Sequence, residues 1–250
     1  MPATVLRDAA GVSSNFEELA WAETPMGAIS LRRRLDPALN IDVYEVKLGD
    51  EFLMSSLFTV AEIELARLSL AMVPGNELNV VVGGLGLGYT ARAVLDDPRV
   101  RSLVVVEALA DVISWHERDL FPDTAGLASD PRVRLLHGDF FALAGTEQGF
   151  DPGTPGRCFD AVLLDIDHTP RHVLHPSHAA FYFEEGLRRL AEHLHPYGVF
   201  ALWSDDPPDD EFRSVLAAVF ASTQAHVVSF PNPLTGQQSA NTVYVASTAN

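Results

Sequence analysis

Apolar residues follow two rhythms along this chain. Between Ala28 and Met54 they alternate with polar ones, as in Ile29-Ser30-Leu31-Arg32 and Ile41-Asp42-Val43-Tyr44-Glu45-Val46, with Asp36-Pro37 and Gly49-Asp50 as punctuation. Alternation sends successive side chains to opposite faces of a strand, so this stretch predicts a small antiparallel β element closed by Phe52-Leu53-Met54. From residue 79 the rhythm changes to short, solidly apolar runs at 79–83, 102–107, 133–137, 159–165 and 198–203, separated by helix-spaced patterns near 89–96, 110–120, 178–195 and 209–221. Strands without a polar face are buried on both sides, and their alternation with helices predicts a mainly parallel sheet wound on both faces. Between the two regimes, Thr59-Val60-Ala61-Glu62 has capping-box spacing ahead of a helix through Ile63, Leu65, Ala66, Leu68 and Met72, which Pro74-Gly75 ends. Segments 225–230 and 242–246 are strand-like and joined only by a loop, hence an antiparallel pair. Residues 1–24 are weakly patterned and read as a flexible arm or a capping helix. The expected fold is α/β: a doubly wound, mainly parallel seven-stranded sheet with a C-terminal antiparallel hairpin, preceded by a small N-terminal β element. The expected division is 1–57 for arm and β element and 58–250 for a Rossmann-like domain.

The candidate chemistry starts at Asn79-Val80-Val81-Val82-Gly83-Gly84-Leu85-Gly86-Leu87-Gly88-Tyr89-Thr90-Ala91. A strand runs into a turn carrying Gly83, Gly84, Gly86 and Gly88, and a helix follows. Glycines let a ligand approach where any Cβ would clash, and the new helix offers it unpaired N–H groups. Downstream, Leu103-Val104-Val105-Val106-Glu107 is a second buried strand ending in a carboxylate. An acid about 20 residues past such a turn bonds ribose hydroxyls in nucleotide-binding βαβ units. Strand, glycine turn, helix, strand and acid in that order predict a nucleoside site.

Charge narrows the partners. The formal net charge of −17, from 34 acids against 17 bases, argues against nucleic acid or an anionic membrane, because phosphate binding needs clustered Lys and Arg. It suits a neutral or cationic small molecule. Cys158 is the only cysteine, so no intrachain disulfide can form. The start lacks an apolar signal core and no run approaches the ~18 apolar residues of a membrane span, so a soluble cytoplasmic protein is expected.

The glycine turn, Glu107, His137-Gly138-Asp139 after the third strand, and the terminal hairpin together resemble the class I S-adenosylmethionine-dependent methyltransferases. Within that superfamily the chain resembles the spermidine synthase group, which also carries an N-terminal β element, a connecting helix and Gly-Gly-Gly-Asp-Gly-Gly in the turn. The resemblance covers about residues 28–247. It implies that Gly83, Gly84, Gly86 and Gly88 cradle the methionine part of S-adenosylmethionine or its decarboxylated form. It implies further that Glu107, next to Ala108, holds the ribose, and that Asp139, next to Phe140, accepts the adenine amino group. For Asp139 the alternative is an N-cap of the next short helix. Related proteins pair through the N-terminal β element, so a homodimer is expected.

The departures bear on the reaction. Gly86 stands where spermidine synthases have an Asp, and Asp165-Ile166-Asp167-His168-Thr169-Pro170 stands where they have Asp-Ser-Ser-Asp-Pro. Their Tyr-His pair opening the first large helix falls near Val60-Ala61. The second Asp of that loop, the base of the family, aligns with His168 or, with a shift, Asp167; Asp165 keeps the first position. Methyl transfer to a small amine or aromatic acceptor is therefore the leading expectation, with aminopropyl transfer and a non-catalytic nucleoside-binding module as alternatives. His168, His172, His175 and His178 lie close in sequence, but Pro170 and Pro176 interrupt them, and the expectation is a loop over the cleft rather than a metal site. Trp203, Asp205 and Asp206 end the fifth strand and are candidates for substrate binding or for core and solvated turn. Phe181-Tyr182-Phe183 reads as packing. The Pro231–Asn241 connection is a candidate cover, and Tyr44 and Trp21 could close the cleft from the N-terminal side.

Overall fold

A computed structural model of the chain describes residues 16–250. The described residues fall into two compact units, one ending at Leu57 and one running Phe58–Asn250. The first is an antiparallel meander of β1 (Phe16–Thr24), β2 (Gly27–Asp36), β3 (Ile41–Leu48) and β4 (Glu51–Ser55), in that spatial order. Its alternation buries Ile29, Leu31 and Val43, and leaves Arg33 to bridge Glu17 and Asp42 and Arg34 to bridge Asp36 and Glu45. Residues 16–24 were expected as arm or helix; instead they pair with β2 from Phe16 opposite Arg34 to Thr24 opposite Gly27. Cross-strand partners supply the order that local pattern lacks, since Glu17 and Glu18 lie opposite Arg33 and Arg32. Residues 1–15 of the expected arm lie outside the described residues.

The second unit runs α1 (Val60–Met72), β5 (Leu78–Gly83), α2 (Tyr89–Leu95), β6 (Val100–Glu107), α3 (Ala110–Glu117), β7 (Val133–His137), α4 (Phe140–Ala144), β8 (Phe159–Leu164), α5 (Glu184–Ala191), β9 (Leu194–Ser204), α6 (Asp210–Val219), β10 (Ser222–Asn232) and β11 (Gln237–Ser247). Its seven strands lie in the order β10-β11-β9-β8-β5-β6-β7. The pairs among β5 to β9 are parallel, and β11 runs antiparallel to both β9 and β10. Fully buried Val81, Val162 and Leu164, with Phe200 and Leu202, meet Leu187 and Leu190 of α5 and Leu216 of α6 on one face. After β5 the chain builds outward through β6 and β7, then returns to add β8 on the other side. That reversal opens a crevice beyond the carboxyl ends of β5 and β8, where open α/β sheets bind ligands.

Three local expectations are corrected. The helix expected over 178–195 is a 3-10 segment, Pro176–Tyr182, then α5, and β9 already begins at Leu194. Phe183 is extended (φ −99°, ψ 167°) and breaks the helical path between the two. The capping box does not form: Thr59 has ψ near 0° and its hydroxyl caps nothing, which frees the Glu62 side chain from the helix end. Finally, β10 and β11 pair as far as Asn232 opposite Gln237, so the expected long cover loop is a tight turn.

Candidate functional site

The carboxyl edge of β5, β6 and β8 gathers the sequence-predicted cofactor residues. At Gly84 (φ +91°) a Cβ would lie 2.1 Å from the Asp165 carbonyl oxygen, so the turn passes directly over the end of β8. Gly88 (φ +88°) is the N-cap of α2, and a Cβ there would meet the His116 ring at 2.7 Å. His116 itself supports the turn: its Nε2 is 2.9 Å from the Gly86 carbonyl, and burial holds its pKa below the usual imidazole range, so a neutral ring donates that bond. Thr124 donates to the Leu87 carbonyl at 2.8 Å. Neither brace has a local sequence signal, since both come from the α3 region and the turn after it.

Glu107 faces the same turn. Its Oε2 accepts from Leu85 N–H at 3.0 Å and its Oε1 from Leu109 N–H at 2.9 Å. Burial pushes its pKa up and these backbone donors, with those of Gly86 and Ala108, pull against that shift. An ionised carboxylate only accepts hydrogen bonds, the complement of the two O–H donors of a vicinal diol. One strand further, Asp139 caps α4 through Oδ1, which accepts from Phe141 and Ala142 N–H at 2.9 and 3.2 Å. The capping alternative is thus realised, and it leaves Oδ2 available because the residue is exposed. Asp139 also lines a cavity of about 410 Å³ with Phe141, Ser177, Phe181, Glu185 and Arg189. Phe140 is buried beside Gly83 and stacks on Phe150.

The residues after β8 divide into two environments. Asp165 Oδ2 accepts from the Thr90 hydroxyl of α2 at 2.6 Å, and the same hydroxyl lies 3.3 Å from the Glu62 carbonyl of α1. Desolvation raises the pKa of Asp165, and desolvation plus the Asp165 charge raises that of Glu62. Asp167 is instead sealed in: it accepts from Leu174 N–H at 2.7 Å, from His178 Nδ1 at 2.9 Å and from Tyr182 Oη at 2.8 Å. His178 stacks on Phe141 with centroids 3.9 Å apart. This network lies in the core and fixes the loop; the sequence offered Glu62 as a capping-box residue, His178 as one of four loop histidines and Tyr182 as packing, and gave no sign of their pairing with these acids. His168 remains half-buried near His172 and its carbonyl accepts from Asp205 N–H. Among the described residues no set of three His, Cys, Asp or Glu side chains is placed to hold a metal ion.

Leu164 at the end of β8 pairs with Leu202 of β9, and both face α5 and α6. Alternation therefore turns Trp203 and Asp165 to the face covered by α1. The Trp203 Nε1–H is buried and makes no hydrogen bond. Asp205 accepts from Asn241 at 2.7 Å, whereas Asp206 is exposed and contributes its carbonyl to Thr242. Tyr44 and the exposed Trp21 belong to the N-terminal unit.

No family model matches the sequence. Over 163 residues it is 28% identical to polyamine aminopropyltransferase 2 of Pseudomonas aeruginosa, covering 61% of this chain and 42% of that protein. Over 102 residues it is 31% identical to putrescine N-methyltransferase 3 of Nicotiana tabacum, covering 40% of this chain and 24% of that protein. The chain thus spans less than half the length of the curated relatives it matches. Among solved structures, spermidine synthase from Thermotoga maritima superposes with a TM-score of 0.69 at 18% identity, over 92% of this chain and 72% of that one. Human methyltransferase-like protein 13 in complex with SAH gives 0.51 at 20% identity, over 77% and 79%. An N-terminal antiparallel sheet followed by this strand order, glycine turn and terminal hairpin is the spermidine synthase-like form of the class I S-adenosylmethionine-dependent methyltransferase fold.

Proposed function

We propose that this protein is an S-adenosylmethionine-dependent transferase acting on a small polyamine-like amine, with a methyl group as the moiety transferred. The observation that carries the reading is the Glu107 carboxylate, held by two backbone N–H groups against a glycine turn that leaves no room for side chains. These residues fit the cofactor: the turn makes space for its methionine part, Glu107 for the ribose diol, and Asp139 Oδ2 for the adenine amine. Bound there, S-adenosylmethionine supplies an electrophilic methyl on a sulfonium. The protein's own work is to bind, to orient the acceptor and to take a proton from it. For that last role the favoured groups are Asp165, at the turn, and His168, beside it, because Asp167 spends its oxygens on three internal donors. Alignment of an amine with the methyl supplies most of the acceleration, worth up to about 7–11 kcal/mol when the geometry is right. Gly86 in place of an acid in the turn favours methyl over aminopropyl transfer. The match to an aminopropyltransferase supports the second reading, in which the donor is decarboxylated S-adenosylmethionine. Incubation of the protein with putrescine and each donor decides the matter: N-methylputrescine is the expected product, spermidine reverses the order, and titration calorimetry without nucleoside binding ends both.

A further inference from the structure

Thr90 stands in the first turn of α2, where a threonine hydroxyl ordinarily bonds back to the carbonyl three or four residues earlier. Here both of those carbonyls are already served. His116 Nε2 lies 2.9 Å from the Gly86 oxygen, and the Thr124 hydroxyl donates to the Leu87 oxygen at 2.8 Å. The Thr90 hydroxyl leaves its own helix instead and donates to Asp165 Oδ2 at 2.6 Å, across 75 positions of sequence. Thr90 is 3% exposed, so bulk water does not compete for that hydrogen. Asp165 in turn has a fixed main chain: its N–H donates to the Gly83 carbonyl at 2.8 Å, and a Cβ on Gly84 would lie 2.1 Å from its own carbonyl. Among the described residues Thr90 is the single donor to its carboxylate, and Oδ1 has none. The charged group coupled to it is Glu62 of α1, which repels it. We infer that Thr90 is a positioning residue for the transfer: its hydroxyl holds Oδ2 and fixes the carboxylate with Oδ1 free, and Asp165, not His168, takes the acceptor's proton there.

A hydroxyl has one hydrogen to give. That of Thr90 has a second acceptor in reach, the Glu62 carbonyl at 3.3 Å. While Asp165 is ionised the nearer oxygen holds the hydrogen, since a bond to a charged acceptor is about twice as strong as a neutral one. Once Asp165 has taken a proton, its Oδ2 is an ordinary neutral acceptor and the Glu62 carbonyl competes with it. The bond therefore favours the ionised carboxylate, against burial, which disfavours it. In the proposed reaction the acceptor nitrogen bonds the methyl carbon as the carbon–sulfur bond breaks. The electron pair of that bond stays on sulfur, and the proton shed by nitrogen neutralises the carboxylate. For this step the inference rests on the proposed function; the grip of Thr90 on Asp165 does not.

Carbon NMR titration of the ligand-free chain, labelled at aspartate and with Asp165→Asn assigning the signal, reads that grip directly. Thr90→Val keeps the shape and removes the donor, and should move the Asp165 titration up by about one pH unit, the size of a lost hydrogen bond to a charged group. Thr90→Ser restores the hydroxyl and should return the titration to its wild-type position. The proton transfer is read from kcat against pH, with putrescine and S-adenosylmethionine or its decarboxylated form. The acid limb, where the proton acceptor is lost, should move to higher pH in Thr90→Val by the same interval, with kcat changed more than KM, and return in Thr90→Ser. An unmoved titration overturns the inference. So does a moved titration with an unmoved acid limb, which gives the proton to another group such as His168. A moved titration in a chain whose wild type transfers nothing from either donor upholds the grip of Thr90 on Asp165 and overturns the proposed function. Thr90→Ala, which also removes the donor, gives the same readings if Thr90→Val fails to fold.

Discussion

Glu107 is a single residue on which binding should turn. Its removal costs the hydrogen bonds to a ribose diol and frees the N–H groups of Leu85 and Leu109 that now order the turn. Glu107→Ala should therefore weaken S-adenosylhomocysteine binding by about 1.5–3 kcal/mol, read by calorimetry, and unchanged affinity would remove the ribose assignment. Gly84 tests the turn from the other side. With a positive φ and the Asp165 carbonyl 2.1 Å from any added Cβ, Gly84→Ala should lose at least about 2 kcal/mol of stability in urea denaturation, from backbone strain plus overpacking. The acid pair gives a signed pH dependence. Burial lifts Glu62 from an ordinary 4.5 to about 8 and Asp165 from 3.8 to about 6; the charged group acting on Glu62 is Asp165, and Thr90, which bonds Asp165, is neutral. The folded state thus keeps protons that the unfolded chain releases, so the stability due to the pair is full below the unfolded values and is lost as pH rises through about 8. Melting scans should show Tm falling between about pH 4.5 and about pH 8 and levelling above that, and Glu62→Gln should flatten the fall.

At the scale of elements, the segment between β8 and α5 owes its shape to Asp167. The carboxylate ties the loop at Leu174 to the 3-10 segment at His178 and Tyr182, and His178 passes the contact on to Phe141 of α4. Asp167→Ala leaves two buried donors and one part-buried donor unmet and should cost about 3–5 kcal/mol, with His178→Ala costing about 1–3 kcal/mol. Loss of stability in both, together with nucleoside affinity that falls less than in Glu107→Ala, is the expected pattern in paired melting and binding measurements. This loop also marks where the sequence stopped being legible. Runs such as Val80-Val81-Val82 and Leu103-Val104-Val105-Val106 announce strands because burial on both faces leaves a continuous apolar signature. The glycine turn and its acid are equally local. Asp165, Asp167 and His168 were visible as candidates, but the separation of Asp165 at the glycine turn from the sealed network around Asp167 depends on residues 75 positions away in Thr90 and 11 positions away in His178. The strand β1 was missed for the same reason: its order comes from Arg32 and Arg33 across the hairpin, not from its own periodicity.

For the molecule as a whole, the N-terminal meander keeps Phe16, Trp21, Ile41 and Phe52 exposed. We expect this unit to lie at or near the interface of a symmetric homodimer, since covering these exposed apolar side chains on a small four-stranded sheet would stabilise it. Light scattering should return twice the 27.2 kDa chain mass at micromolar concentration, and the single mass counts against the dimer. The position of β11 has a different consequence, for the order of events in folding. It lies inside the sheet, between β9 and β10, and it is the latest of these strands in the sequence. Until Gln237–Ser247 is available, β9 has an open edge and β10 has no neighbour to join, however well β5 to β8 have already paired. Closure of the sheet is then a late, long-range step, and pairings of this kind form slowly. Protease protection of the 58–250 unit on stalled ribosomes should appear only after the stretch through Ser247 has left the exit tunnel.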